Sequence, residues 1–176
     1  MGVSQKFIEV NEFNQFYELI ENNRKRLLDY FPNTAREISS PEKAKDHLEK
    51  CLVKRELKEQ FLFGIYHSKH LIGYLNVKNI DWDVPKCELG YFIDFHQQGK
   101  GIMTAQIRHA LLFSFENLEM EKIYLRIGQE NIGSLKIAKR TGFKKEGLIR
   151  NDFRTATGEL IDVAYYGITK EDFEKG

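Results

Sequence analysis

Gln98-Gly99-Lys100-Gly101-Ile102 sets two glycines between a β-rich run, Cys87 to Asp94, and a long amphipathic stretch. A strand that passes through a glycine turn into a helix leaves several N–H groups unpaired and pointing one way. Those donors and the positive end of the helix dipole form a cradle for a phosphate. The glycines let the backbone close on an oxygen with no Cβ in the way. The same spacing also fits a tight strand-to-helix turn that binds nothing. A Rossmann site is disfavoured, because Gly99-Lys100-Gly101-Ile102-Met103-Thr104 has no third glycine. A P-loop is excluded, since no Gly-x-x-x-x-Gly-Lys-Ser/Thr occurs. The turn therefore holds the diphosphate of another ligand, or nothing. A second candidate is Asp162 in Leu160-Ile161-Asp162-Val163-Ala164-Tyr165-Tyr166. A charge between apolar strand residues needs a partner if it is buried. Tyr165 and Tyr166 read as core and sheet-surface residues. His67 and His70 bracket a hairpin turn and His96 precedes the cradle. Cys51 and Cys87 form no Cys-x-x-Cys or Cys/His spacing, so no metal is expected.

The elements that must carry these residues follow from periodicity and punctuation. Val3 to Val10 reads as a strand, and Asn11 as the cap of a helix with apolar positions Phe13, Phe16, Leu19, Ile20, Leu27 and Leu28. Asp29 to Ser40, with Pro32, reads as a loop. Ser40-Pro41-Glu42 starts a second helix that buries Ala44, Leu48, Cys51 and Leu52. Phe61 to Tyr66, Leu71 to Ile80 and Cys87 to Asp94 are short-linked strands, hence an antiparallel meander. The helix after the glycine turn has an apolar face of Ile102, Ile107, Ala110, Leu111, Phe113 and Leu118. Ile123 to Ile127 is a further strand, and Asn131 begins a short helix closed by Gly142 at C′. Phe143 to Arg150 and Leu160 to Ile168 complete the order β-α-α-β-β-β-α-β-α-β-β. That is an α/β (α+β) fold around a mixed, mostly antiparallel sheet flanked by helices, expected as one domain over residues 1–176.

These residues together resemble the GNAT superfamily of coenzyme A-dependent N-acyltransferases. Within it the nearest likeness is the Rim-type group that acetylates ribosomal-protein N-termini. The family signature after the fourth strand is Arg/Gln-x-x-Gly-x-Gly/Ala, matched here at Gln98 and Gly101. Met103 departs at the last position, as in the Rim-type branch, and its N–H still donates. An independent match is the pattern Asn-x-x-Ser/Ala with a closing Gly-Phe, present as Asn131, Ser134 and Gly142-Phe143. The element order fits along essentially the whole chain.

The resemblance implies acetyl transfer from acetyl-coenzyme A to an amine. Phe92 and Ile93 would offer backbone to the pantetheine arm, one N–H facing the thioester oxygen. N–H groups of Gln98, Gly99, Lys100, Gly101, Ile102, Met103 and Thr104 would hold the pyrophosphate, and Asn131 the pantetheine amides. Lys100 and Lys139 are candidates near the phosphates or plain surface lysines. The tyrosine that many members place seven residues after the Asn is Ala138 here. Ser134 is then the nearest acid for the leaving thiolate, or else a small residue that lets the ligand approach. A thiol of pKa ~8.5 needs little such help. Glu88 is the leading general base. Its spacing from Phe92 puts both on one strand face, and the alternative is an ion-pair partner. Asp162 is the second choice.

The family's acceptor enters between the loop after the first helix and the last hairpin, here Asp29 to Ser40 and Arg150 to Glu159. Tyr30, Phe31, Arg36, Trp82 and Arg154 are the lining candidates. The Rim-type likeness favours a protein or peptide N-terminus, such as that of a ribosomal protein. A polyamine or aminoglycoside acetyltransferase and a non-catalytic acyl-coenzyme A sensor are the alternatives. With 27 Lys+Arg against 26 Asp+Glu, the charge of +1 argues against polybasic nucleic-acid binding. It says nothing of a coenzyme met by backbone donors. No apolar run approaches a membrane span, two unpaired cysteines suit a reducing cytosol, and analogy allows a monomer or homodimer.

Overall fold

The computed structural model describes residues 2–175. Its strands are β1 (Val3–Phe7), β2 (Phe61–His67), β3 (His70–Asp81), β4 (Lys86–Ile93), β5 (Lys122–Gly128), β6 (Lys144–Arg154) and β7 (Leu160–Thr169). They form one sheet in the order β1-β2-β3-β4-β5-β7-β6. Every neighbouring pair is antiparallel except β4 and β5, which run parallel. A parallel pair needs a crossover, and the helix after the glycine turn supplies it.

Helices α1 (Phe13–Asn22), α2 (Arg24–Tyr30), α3 (Pro32–Glu37) and α4 (Pro41–Glu56) cover one face of the β1–β4 half. There Phe16, Ile20, Leu27 and Leu48 pack with Leu62, Tyr74 and Phe92. Helices α5 (Ile102–Leu112), α6 (Ile132–Arg140) and α7 (Lys170–Lys175) lie on the other face. Ile107, Leu111, Phe115 and Ala138 pack there with Leu75, Leu89, Ile123 and Leu125. Strand β4 alternates between the two layers, as its pleat requires. Cys87, Leu89 and Ile93 go to the α5 side and Phe92 to the α1–α4 side. At Gly73 a Cβ would stand 2.5 Å from the Phe92 carbonyl, so only glycine lets β3 lie this close to β4.

The expected mixed sheet is present, with local departures. The first helix breaks at Asn23, whose backbone leaves the α-region (φ −120°, ψ 11°). Asn11 is not its cap. It lies inside a 3₁₀ turn where Glu9 and Glu12 cap each other reciprocally. The expected loop Asp29 to Ser40 contains α3, because Pro32 stands at its first turn, where a missing N–H does no harm. Arg24 completes that helix from α2, donating to the carbonyls of Ala35 and Ile38. Ser40 caps α4 as expected, accepting from the Lys43 N–H at 3.3 Å. Leu52 is only half-buried. Cys51 and Cys87 are both buried free thiols in separate clusters, pushed by burial up to about 11 and about 12. Among the described residues no helix is long and apolar enough to cross a membrane.

Candidate active site

Strands β4 and β5 are in register at Lys86–Lys122, Cys87–Ile123 and Glu88–Tyr124. Past Glu88, β4 stays with β3 up to Ile93 and β5 stays with β7 up to Gly128. The two strands therefore diverge, and a V-shaped gap opens toward their C-terminal ends. Strand β4 leads into α5 and β5 into α6, so two helix N-termini flank the gap. The carboxyl ends of adjacent parallel strands are where α/β sheets take ligands.

On the β4 side, Gly99 and Gly101 both hold φ +75°, in the left-handed region that glycine enters without penalty. The first helical bond of α5 runs from the Ala105 N–H to the Gly101 carbonyl at 3.2 Å. The N–H groups of Ile102, Met103 and Thr104 lie ahead of it and face outward. Gln98 to Gly101 are exposed, while the Met103 side chain is buried, so the turn presents backbone. Lys100 Nζ lies across the turn on Gln97 Oε1 at 2.9 Å.

The lead-in to this turn is held from the α1–α2 break, by residues that no local sequence signal singles out. Asn23 is 5% exposed. Its Nδ2 donates to Asp94 Oδ2 (2.7 Å) and the Leu19 carbonyl (3.0 Å), and its Oδ1 accepts from the Phe95 N–H (3.1 Å). Arg26 donates to the Ile93 carbonyl at 3.2 Å, with its guanidinium over the rings of Phe92 and Phe95. The end of β4, from Phe92 to Phe95, is thus fixed from the opposite layer.

On the β5 side, Asn131 caps α6 with Oδ1 on the Ser134 N–H at 3.1 Å, which leaves its Nδ2 as a donor. No sequence signal marks Tyr91. Its hydroxyl reaches from β4 across the gap to the Ser134 carbonyl at 3.5 Å, and burial pushes the phenol up to about 12. Lys139 stands in the last turn of α6, about 12 Å along the axis from Asn131. There it complements the helix C-terminus.

Glu88 sits at the apex of the V and is 6% exposed. Lys78 Nζ lies 3.2 Å from its Oε1, and Asn79 Nδ2 donates to its Oε2 at 2.7 Å. The β3 register shifts between Lys78 and Asp81, with Asn79 at φ +50°. That bulge turns two consecutive side chains onto one carboxylate. Lys78 Nζ and Phe31 Cε1 stand 3.9 and 3.8 Å from where a Cβ at Gly90 would be, so they line the space over β4. Farther along the same face, the Tyr124 and Tyr165 rings stack at 6.1 Å. Arg126 and the Tyr165 hydroxyl both bond Asp152, each at 2.9 Å. Burial and then the Glu88 charge raise the Tyr124 phenol.

The two stretches expected to flank an acceptor do meet, since Arg36 of α3 donates to the Ala156 carbonyl of the β6–β7 turn at 2.8 Å. Arg154 donates to Gly158 within that turn, and Tyr30 is exposed at the end of α2. Trp82 is elsewhere, in the β3–β4 turn. With Phe7, Arg55, Phe61 and Phe113 it lines a separate cavity of about 410 Å³. Asp162 is also elsewhere. Strand alternation from Ile168 puts it on the α6 face, opposite Glu88. Its carboxylate accepts the Asn151 N–H at 3.1 Å within a β6 bulge. Among the described residues no group of three or more His, Cys, Asp or Glu could hold a metal ion.

The chain is similar in sequence and fold to known proteins. Residues 7–144 fit the profile of the acetyltransferase (GNAT) domain. YdaF of Bacillus subtilis (strain 168), which carries a ribosomal N-acetyltransferase name, is 32% identical over 111 residues, 63% of this chain and 60% of that protein. The spermidine N(1)-acetyltransferase of Vibrio cholerae is 33% identical over 86 residues, 49% of this chain and 50% of that one. The match therefore spans less than two thirds of either relative's length. The structure of RimL, a ribosomal L7/L12 α-N-protein acetyltransferase solved with coenzyme A, superimposes at a TM-score of 0.88. It is 18% identical, with 95% of this chain and 93% of that one covered. With the domain profile spanning most of its length and the split parallel seam in place, this chain belongs to the GNAT acetyltransferase family.

Proposed function

We propose that the chain transfers an acetyl group from acetyl-coenzyme A to a primary amine, with a protein N-terminus as the acceptor. The observation that carries this reading is the gap past Glu88, with unpaired backbone on one edge, a helix N-terminus on each side and a buried carboxylate at its apex. Backbone from Gln98 to Thr104 suits a pyrophosphate, and Asn131 Nδ2 suits a pantetheine amide. An N–H of Phe92 or Ile93, held by Arg26, would polarise the thioester oxygen. Glu88 would take the proton of the attacking nitrogen once an acceptor displaces one of its two partners. The Ser134 hydroxyl would serve the departing thiolate. Asp162, on the opposite face, leaves the base role to Glu88.

The Rim-type likeness, the name YdaF carries and the RimL fold favour a peptide N-terminus. The spermidine acetyltransferase relative supports a second reading, a polyamine acceptor. Arg36, Arg126 and Arg154 around the groove oppose a polycation. The buried thiols Cys51 and Cys87 suit a reducing cytosol.

Two measurements test this. Acetyl-coenzyme A should raise the melting temperature, and no shift at high ligand sinks the coenzyme site. Thiol release should be fastest with ribosomal-protein N-terminal peptides. Faster release with spermidine selects the second reading. Only background release with every amine makes the chain a coenzyme sensor.

A further inference from the structure

Lys78 holds the place that the proposed function gives to an acceptor amine. Its Nζ is 3.2 Å from Oε1 of Glu88 and lies over Gly90 on the groove face of β4, against Phe31. The lysine side chain is 33% exposed and its partner carboxylate 7%. The next most buried carboxylate of a lysine ion pair, Glu12, is 15% exposed. No other described lysine ion pair has so enclosed a carboxylate. The β3 bulge fixes this geometry, because it sets Asn79 on the second oxygen and leaves the first to Lys78. Phe92, whose backbone would face the thioester, is two residues beyond Gly90 on the same strand face, about 7 Å farther along β4.

We infer that the enzyme acetylates its own Lys78 when coenzyme is bound and the acceptor groove is empty. The inference rests on the coenzyme site proposed above. Glu88 takes a proton from the Lys78 ammonium, and the neutral Nζ attacks the thioester carbon. An N–C bond forms and the C–S bond breaks. The thiolate leaves and takes one proton, and the proton on Glu88 passes to solvent. No oxidant or further reactant is involved. The product has lost its charge, so it no longer neutralises Glu88, and it fills the space over Gly90 that an acceptor would enter.

The full chain incubated with acetyl-coenzyme A and no acceptor tests this by peptide mass mapping. Lys78 should gain an acetyl group roughly a hundredfold faster, or more, than exposed lysines such as Lys25 and Lys45, the margin a positioned base provides. Glu88→Gln should bring Lys78 down to the rate of those lysines. Lys78→Arg should lower acceptor-independent thiol release to the slow rate set by the exposed lysines. Equal acetylation of Lys78 and the exposed lysines, in protein whose melting temperature still rises with the coenzyme, overturns the inference. So does undiminished acetylation of Lys78 in the Glu88→Gln variant. Absence of the melting shift overturns the coenzyme site itself and this step with it.

Discussion

The two sides of the gap are built from different materials. On the coenzyme side the ligand would meet main chain, shaped by two residues at φ +75° and by helix N-termini that follow directly in sequence. On the acceptor side it would meet side chains. Lys78 and Asn79 reach across from β3, Phe31 and Arg36 come from α2–α3, and Asp152 comes from the far edge of the sheet. A backbone site is specified within a few residues and tolerates changes of side chain. A side-chain site is specified by strand register and by contacts as distant as Arg36 to Ala156, so it varies without disturbing the fold.

The largest expected effect lies on the acceptor side. Glu88→Gln should lower turnover at neutral pH by roughly 10²- to 10⁴-fold, the usual contribution of a general base, with the coenzyme-induced melting shift retained. Unchanged thiol release removes Glu88 as base. On the coenzyme side, Gly101→Val places a β-branched residue in the left-handed region. That strain of about 1–3 kcal/mol should weaken coenzyme binding roughly 5- to 150-fold in calorimetric titration. Retained affinity would mean that the turn does not carry the ligand. Asn23→Ala joins the two sides, since it strips Asp94 Oδ2 and the Phe95 N–H of a partner. It should cost about 1–3 kcal/mol in denaturant unfolding and raise the KM for coenzyme more than it lowers kcat. The smallest effect belongs to Lys100→Ala, which removes one exposed charge and should weaken the coenzyme by less than about fivefold. A larger loss would show that this side also relies on side chains.

What was legible in the sequence divides along the same line. Gly101 announced its turn because few other residues hold that φ, and Asn131 and Ser40 announced their helices because a cap acts within three residues. Asn23 gave no sign, since the apolar spacing of α1 runs on through Leu27 and Leu28 although the helix breaks before them. Pro32 reads as loop punctuation, though at a first turn the same residue starts a helix. Glu88 and Asp162 look alike in sequence, each a carboxylate within a strand. Their opposite faces emerge only from the pairing of β5 with β7. The partners of Glu88 depend on a bulge that shifts the register after Lys78, and no periodicity reveals such a shift. Helix α7 spans only Lys170–Lys175, too short for a periodic signal.

The seam between β4 and β5 has a further consequence. Among the described residues, three registered pairs are the only strand pairing between the β1–β4 half and the β5–β7 half. A molecule that lies along the open edges serves as a missing strand, and its concentration then adds to stability as RT ln(1 + [L]/Kd), about 2.7 kcal/mol at a hundredfold excess over Kd. Supply of the ligand would set how often the halves part, and with it how readily proteases and solvent reach the amides of the seam.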